Sequence, residues 1–421
     1  MRVRLTAWHA YPLFDADDPA CVGGAETHAW LLANGLSARP KFDVHFVVRS
    51  LRRFRQRRFD NVTVWNASDP LDGVREGVAR SVAISRDPLR LKLLRWDPRL
   101  LWRLPLLTAA RLVQGPRPAP GTPSAVYSQS PADVECCFGV SGQSAAAIAA
   151  AREAGVPSVL FLESNNDLDA RFTPDSTAIS VHGERGDVCR RAIDGATRIV
   201  AQHEEQQRLL RERFGRESVV WPNIVDLAQW DRLSTEPNPF NDRNNGGYAL
   251  WVGRADDFHK RPQLCLELAR KLPKVWFVMI LNPGDDRIDR EIRATKPDNV
   301  TILDRVPFAW MPAVLASADV YVSTGSKEYE GSPNIFLQAA ASRVPVASLD
   351  VATPLIAGTG AGIVADGNMD ELAGFVARTM ADVRAARAAG DIGRRIVEDE
   401  HAPHVVVDRL AVLLQELAKG R

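Results

Sequence analysis

Two successive runs of alternating strand-like and helix-like segments, separated by a stretch of turn formers, constrain this chain more than any other feature. Such alternation is the pattern of doubly wound α/β domains, in which helices cover both faces of a parallel sheet. In the first run, Arg4–Trp8 predicts a buried strand, and a loop leads to Gly23-Gly24. A helix follows from Ala25, because Ala25, Ala29, Leu32 and Leu36 recur at the spacing of one helical face. Val44–Val48, Pro157–Leu162 and Arg198–Ala201 read as strands, and His203–Phe214 as a charged, exposed helix. Between Leu227 and Tyr248 the periodicity fades, and Pro237-Asn238-Pro239 and Asn244-Asn245-Gly246-Gly247 gather there, as expected of an interdomain linker. The second run places strands at Tyr248–Val252, Val275–Leu281, Asp319–Ser323 and Pro345–Leu349. The expected architecture is two doubly wound domains facing each other across a cleft. They cover residues 1–232 and 246–400 and are followed by a terminal helix over 401–421.

Length supports the division, since 421 residues are long for one hydrophobic core. With 53 basic and 52 acidic residues the formal charge is +1, so bulk charge points to no nucleic acid or other polyanionic partner. Five cysteines (Cys21, Cys136, Cys137, Cys189, Cys265) are odd in number and irregularly spaced. They form neither a disulfide framework nor a zinc spacing, which favours a reducing compartment. Met1–Phe14 lacks the apolar core and cleavage site of a secretory leader. No apolar run approaches the roughly 18–20 residues that span a bilayer. The chain is therefore expected in the cytoplasm.

Residues 51–120 fit the scheme poorly. Arg52, Arg53, Arg55, Arg57 and Arg58 cluster first; then Arg86, Arg90, Lys92, Arg95, Arg99 and Arg103 interleave with Leu91, Leu94, Trp96, Leu101 and Trp102. That mixture suits a peripheral contact at the cytoplasmic face of a membrane. The plainer expectation is a pair of domain-packing helices with a solvated basic face, with Pro88, Pro98 and Pro105 interrupting any long helix.

Chemistry concentrates in the second run. A strand ends at Val252-Gly253-Arg254, and a helix is expected near Pro262, placing Arg254 and Lys260 at the carboxyl edge of a parallel sheet. Two cations there can hold a diphosphate and stabilise it as it departs. Downstream, strand Asp319–Ser323 leads into Glu330-Gly331-Ser332-Pro333-Asn334. A helix capped by Ser332 would start near Pro333, turning its positive end toward a phosphate. Glu330 would accept hydrogen bonds from sugar hydroxyls, and Gln338 follows inside the helix.

Taken in order, Gly23-Gly24-Ala25-Glu26, Pro222-Asn223-Ile224-Val225-Asp226, Gly253-Arg254 with Lys260, Glu330–Asn334 with Gln338-Ala339, and Pro345-Val346 resemble the retaining GT-B glycosyltransferases of family 4. The matches span most of the chain apart from the basic segment. The resemblance implies an α/β GT-B fold of two Rossmann-like domains, with the C-terminal helix returning to the N-terminal domain. It implies a nucleoside-diphosphate sugar as donor and a hydroxyl acceptor, whether glycan, lipid-linked or small molecule, with no cofactor and no metal. Arg254 and Lys260 would contact the diphosphate and Glu330 the donor sugar. Gly253 and Gly331, Ser332, Pro333 and Asn334 would lie beside sugar and phosphates. Arg305 and Val306 would lie near the base, and Gly23 and Gly24 near a phosphate.

Two departures matter. The family's second glutamate is here Gln338, which keeps an acceptor oxygen and loses the charge, so a ribose would be held less firmly. Where the family often places a histidine after the strand matched by Pro157–Leu162, this chain has Glu163-Ser164-Asn165-Asn166. Glu163 is either a base or charge stabiliser at the anomeric carbon, or a strand-end acid in water. Asp167-Leu168-Asp169 is read as incidental, and His28, His182, His203 and His259 receive no catalytic role. Two other classes share these features: a sugar-nucleotide epimerase of GT-B fold, and a non-catalytic nucleotide-sugar-binding protein.

Overall fold

The computed structural model describes residues 1–420 except 16, 19–21, 87–88, 116–117, 182, 239 and 241–246. The expectations placed on Cys21, Pro88, His182, Pro239 and Asn244-Asn245-Gly246 therefore lie outside the described residues.

The strands are β1 (Arg2–Thr6), β2 (Asp43–Val48), β3 (Gln56–Phe59), β4 (Val62–Asn66), β5 (Val82–Arg86), β6 (Leu89–Leu93), β7 (Val134–Phe138) and β8 (Ser158–Phe161). They continue as β9 (Arg198–Ala201), β10 (Val219–Val220), β11 (Tyr248–Arg254), β12 (Phe277–Asn282), β13 (Val300–Leu303), β14 (Ala318–Ser323), β15 (Val346–Ser348) and β16 (Gly362–Val364). One sheet runs β10-β9-β8-β7-β1-β2-β4-β3, another β13-β12-β11-β14-β15-β16, and β5 and β6 form a separate hairpin. Contacts divide the chain into two compact units, residues 1–160 with 187–197, and residues 161–186 with 198–421.

In the first unit, β1 lies parallel to β2 and β7, and all five residues of β7 are buried. A central strand covered on both faces reads as a continuous apolar run rather than an alternation. The exception is a buried ion pair between Arg4 on β1 and Glu135 on β7. It is tolerated because its remaining valences are met: Arg4 Nη1 donates to the carbonyls of Tyr127 (2.8 Å) and Ser130 (2.6 Å), and Thr6 Oγ1 donates to Glu135 (2.7 Å). The helix Gly24–Ser37 follows β1, and the Glu26 carboxylate accepts from the backbone N–H of Gly23 at 3.1 Å. On that helix His28 is buried, with its ring edge-on to Phe138.

In the second unit, β11 pairs in parallel with β12 on one side and β14 on the other. The chain builds outward from β11 through β12 to β13, then crosses back to build β14, β15 and β16 on the opposite side. The carboxyl ends of β11 and β14 thus flank the point where strand order reverses, the position at which open α/β sheets bind ligands.

Several expectations shift. β1 begins and ends two residues before Arg4–Trp8. The stretch expected as linker opens with a helix, Leu227–Ser234, in which Asp226 caps the N–H of Gln229 at 3.0 Å. Trp230 anchors that helix in the core, and its indole N–H donates to Ser342 Oγ at 2.7 Å. The basic segment forms β3 to β6 and the helices Asp72–Ala79 and Leu100–Gln114, not simply a helix pair. Pro105 does not interrupt the second helix but sits inside it. Both the proline and Leu101, whose carbonyl it leaves unbonded, are on the exposed side. Cys136, Cys137, Cys189 and Cys265 are free and buried.

Replacing Glu135 by Ala would strand the Arg4 guanidinium in the core and should cost about 3–5 kcal/mol in urea unfolding. The double variant Arg4→Met, Glu135→Leu should recover most of that loss. A Glu135→Ala cost below about 1 kcal/mol would show that the pair is not buried as described.

Candidate active site

The loop after β11 is organised by Asp256, whose Oδ1 accepts from the backbone N–H of His259 (2.8 Å) and of Lys260 (2.6 Å). Arg261 then takes a left-handed conformation (φ 49°) as N-cap of the helix Pro262–Lys271. Its guanidinium donates to the carbonyls of Thr324 (2.6 Å) and Gly325 (2.7 Å) and pairs with Asp350. Thr324 Oγ1 accepts from the Trp251 indole at 2.9 Å and lies 2.8 Å from the Lys260 carbonyl. Gly253 is required by close approach: a Cβ there would come within 2.6 Å of the Trp251 ring and 3.0 Å of Lys260 Cβ.

The loop after β14 brings Glu330 into this frame. Ser326 N–H donates to the His259 carbonyl (2.9 Å), and Glu330 N–H to the Ser326 carbonyl (2.9 Å). The Glu330 carboxylate pairs with Lys260, and His259 Nε2 stands 3.0 Å from the same oxygen, off the line of a hydrogen bond. Burial alone would raise this carboxyl. Lys260 and then His259 outweigh it and hold the group at about 2, against an ordinary 4.5. Glu330 is therefore an obligate acceptor at neutral pH.

A second group of side chains belongs to the same unit. Gln202 Oε1 accepts from Ser332 N–H at 3.2 Å, and Gln202 Nε2 approaches Asn223 Oδ1 (3.3 Å) and Glu163 Oε2 (3.4 Å). Asn223 Nδ2 donates to Asn334 Oδ1 (2.8 Å) and the Ser332 carbonyl (3.3 Å). Asn165 Nδ2 donates to the Glu330 carbonyl at 3.1 Å. Gly331 fits against this cluster because a Cβ would meet Gln206 Nε2 at 2.8 Å and Gln202 Oε1 at 2.9 Å.

Lys260, Glu330, Gly253 and the segment Gly331–Asn334 thus come together, with Glu163 joined to that segment through Gln202. Arg254 ends β11 half-exposed, its Nη2 3.5 Å from Asp256 Oδ2. Gln338 is half-buried within the helix Asn334–Ala341. Arg305 is exposed, whereas Val306 is packed into the core. Gly23 and Gly24 belong to the first unit. Ser332 does not cap the helix: Pro333 is the N-cap, with no side-chain capping bond. The Ser332 backbone is instead held by Gln202 and Asn223. Asp167 has a local task, accepting from the N–H of Glu163 at 2.7 Å, and Asp169 pairs with Arg171. His203 caps the helix Glu204–Phe214 through Nδ1. His259, Arg261, Gln202 and Gln206 were not singled out for the site from the sequence. Arg261 carried one signal, its place directly before a helix-starting proline.

Residues 246–382 match the family model for Glycosyl transferases group 1. Sucrose-phosphate synthase from Thermosynechococcus elongatus is similar over 100% of both chains, with a TM-score of 0.67 at 15% identity. HepE of Anabaena, solved with UDP and glucose, matches over 99% of both chains at a TM-score of 0.62 and 13% identity. A variant of TarM from S. aureus, solved with fondaparinux, alpha-GlcNAc-glycerol and UDP, covers 98% of this chain and is covered over 99%, at a TM-score of 0.62 and 9% identity. No curated protein matches the chain in sequence. At such identities the structural likeness establishes the fold, which is GT-B. With the group 1 domain carried on it, the chain is a glycosyltransferase.

The Glu330 pairing has a thermodynamic signature. A carboxyl depressed in the folded state adds stability above its unfolded value and loses it as pH falls through the folded value. The gap between 4.5 and about 2 corresponds to on the order of 3 kcal/mol. In urea unfolding, the difference between wild type and Glu330→Gln should therefore shrink by about that amount as pH falls from about 5 to 2. A difference independent of pH over that range would show that Glu330 is not held ionised by Lys260.

Proposed function

We propose that the protein is a retaining glycosyltransferase of the family 4 type, moving a sugar from a nucleoside-diphosphate sugar to a hydroxyl acceptor. The observation that carries this reading is the pairing of Lys260 with Glu330 at the switch point of the second sheet, beside a helix start with no side-chain cap. A diphosphate carries more charge than a carboxylate and would draw Lys260 toward itself, with Arg254 as second cation. Glu330, still ionised, would then accept from donor-sugar hydroxyls, a stronger contact than a neutral acceptor gives. The N–H groups opening the helix Asn334–Ala341 would face phosphate.

In the reaction the bond between the anomeric carbon and the diphosphate oxygen breaks, and a bond to the acceptor oxygen forms on the same face. The acceptor proton leaves with the diphosphate. Charge positioned beforehand on the departing group is the main catalytic contribution of Arg254 and Lys260. Glu163, tied to the Ser332 segment through Gln202, is the carboxylate assigned to positive charge at the anomeric carbon. No metal or cofactor takes part in this scheme. Bound UDP in HepE and in TarM supports a uridine nucleotide as the first donor class to test.

Thermal shifts with UDP-, GDP- and ADP-sugars should single out one base, since ligand binding raises apparent stability by mass action. With that donor, Arg254→Ala and Lys260→Ala should each lower kcat/KM by about a hundredfold or more. Gln338→Glu should tighten donor binding by restoring a charged acceptor. The product should keep the anomeric configuration of the donor. Wild-type transfer rates in both cation variants would overturn the assignment, and donor conversion without acceptor would favour an epimerase.

A further inference from the structure

We infer that the helix Leu100–Gln114, with the residues leading into it, is a docking surface for an anionic lipid bilayer. An amphipathic helix of a soluble domain turns its apolar face to the core. This one also turns large apolar side chains away from it. At 3.6 residues per turn, Leu100, Arg103, Leu107 and Ala110 share one side. That side is the covered one: Leu100 is buried, and Arg103 reaches Asp97 at 3.2 Å and packs so closely on Gly77 of the helix Asp72–Ala79 that a Cβ there would meet it. The opposite side carries Leu101 (71% exposed), Trp102 (52%), Leu112 (82%) and Val113 (86%). Just before the helix, Leu94 and Trp96 are 56% and 61% exposed. Monomeric proteins rarely leave so many large apolar side chains contiguous and bare.

Charge selects the occupant. Residues 89–114 contain six basic residues and one acidic residue, although the whole chain is balanced to +1. An isologous contact with a second copy would bring these cations against their own symmetry mates. A bilayer bearing anionic headgroups instead pairs them while the leucines and tryptophans enter the acyl boundary. The helix has 15 residues, and among the described residues no helix is long and apolar enough to cross a membrane. The contact is therefore in the interface plane. Combined with the transferase reading, on which this last step rests, it places the acceptor in or on the membrane, favouring a lipid-linked hydroxyl over a free sugar.

Co-flotation of the full chain with vesicles tests the inference. Binding should occur on phosphatidylcholine mixed with phosphatidylglycerol at low salt, weaken at high salt, and fall at least tenfold on phosphatidylcholine alone. Leu101→Glu combined with Leu112→Glu should reduce binding to the mixed vesicles at least tenfold. Both positions are exposed, so the melting temperature and the nucleotide-sugar thermal shift should stay as in wild type. Absence of binding to the mixed vesicles at low salt would overturn the inference. So would a wild-type dimer that the double variant converts to monomer, because a second copy would then be the occupant. Vesicle binding without any nucleotide-sugar response would leave the docking surface standing and remove the transferase reading instead.

Discussion

The site depends on one buried carboxylate. Glu330 carries its charge into a region where an isolated carboxylate would protonate, and it stays ionised because Lys260 and His259 stand against it. Both partners come from the loop after β11, while Glu330 comes from the loop after β14, so the pairing joins the two strand ends that flank the switch point. Asp256 holds the first loop by its backbone, and Arg261 holds the second by the carbonyls of Thr324 and Gly325. These supports make the carboxylate's position a property of the fold and not of a flexible side chain. A largely covered pair of this kind is weak evidence for stability as such, because desolvation offsets much of the attraction.

Around Gly331 and Ser332 the chain uses a different device. Gln202, Gln206 and Asn223 are buried amides that donate and accept without adding net charge. Charged residues in their place would satisfy the same backbone groups but would set a fixed field beside the position proposed for phosphate. Neutral amides fix the Gly331–Asn334 segment without adding charge of their own beside Glu163. Gly331 fits this arrangement, since a side chain there would push the ends of Gln202 and Gln206 out of place.

The alternation of apolar strands and amphipathic helices was readable because each is a local pattern, repeated at a fixed period. That is why β11, β14 and the helix after Pro333 fell within a residue or two of expectation, and why Gly253, Lys260 and Glu330 could be placed on one sheet edge. Gln202, Gln206, Arg261 and His259 were not legible in the same way. Their partners are distant in sequence: Gln202 meets Ser332, and Arg261 meets Asp350. No spacing rule links such positions. The helix Leu227–Ser234 was hidden for another reason, that besides its cap, Asp226, its order rests on contacts far away in sequence, Trp230 with Ser342 and Asp231 with Arg394. Ser332 is not the cap because the helix begins at Asn334, which puts Pro333 in the N-cap position.

Residues 100–114 show where periodicity itself stops informing. Mixed apolar and basic residues predicted helical packing, and a helix formed, but a helical wheel does not say which face turns inward. Ordinarily the hydrophobic effect decides that, at about 25 cal/mol for each Å² of apolar surface covered. Here Arg103 is turned inward, where Asp97 and the bare backbone of Gly77 receive it. Leu112 and Val113 are left among the most exposed apolar side chains described. A glycine on the neighbouring helix leaves room for an arginine beside Leu100 on the inner face, while large apolar side chains stand outward. The exposed leucines then lack only a solvent of lower polarity than water, and the surrounding arginines specify the charge that solvent must carry at its surface.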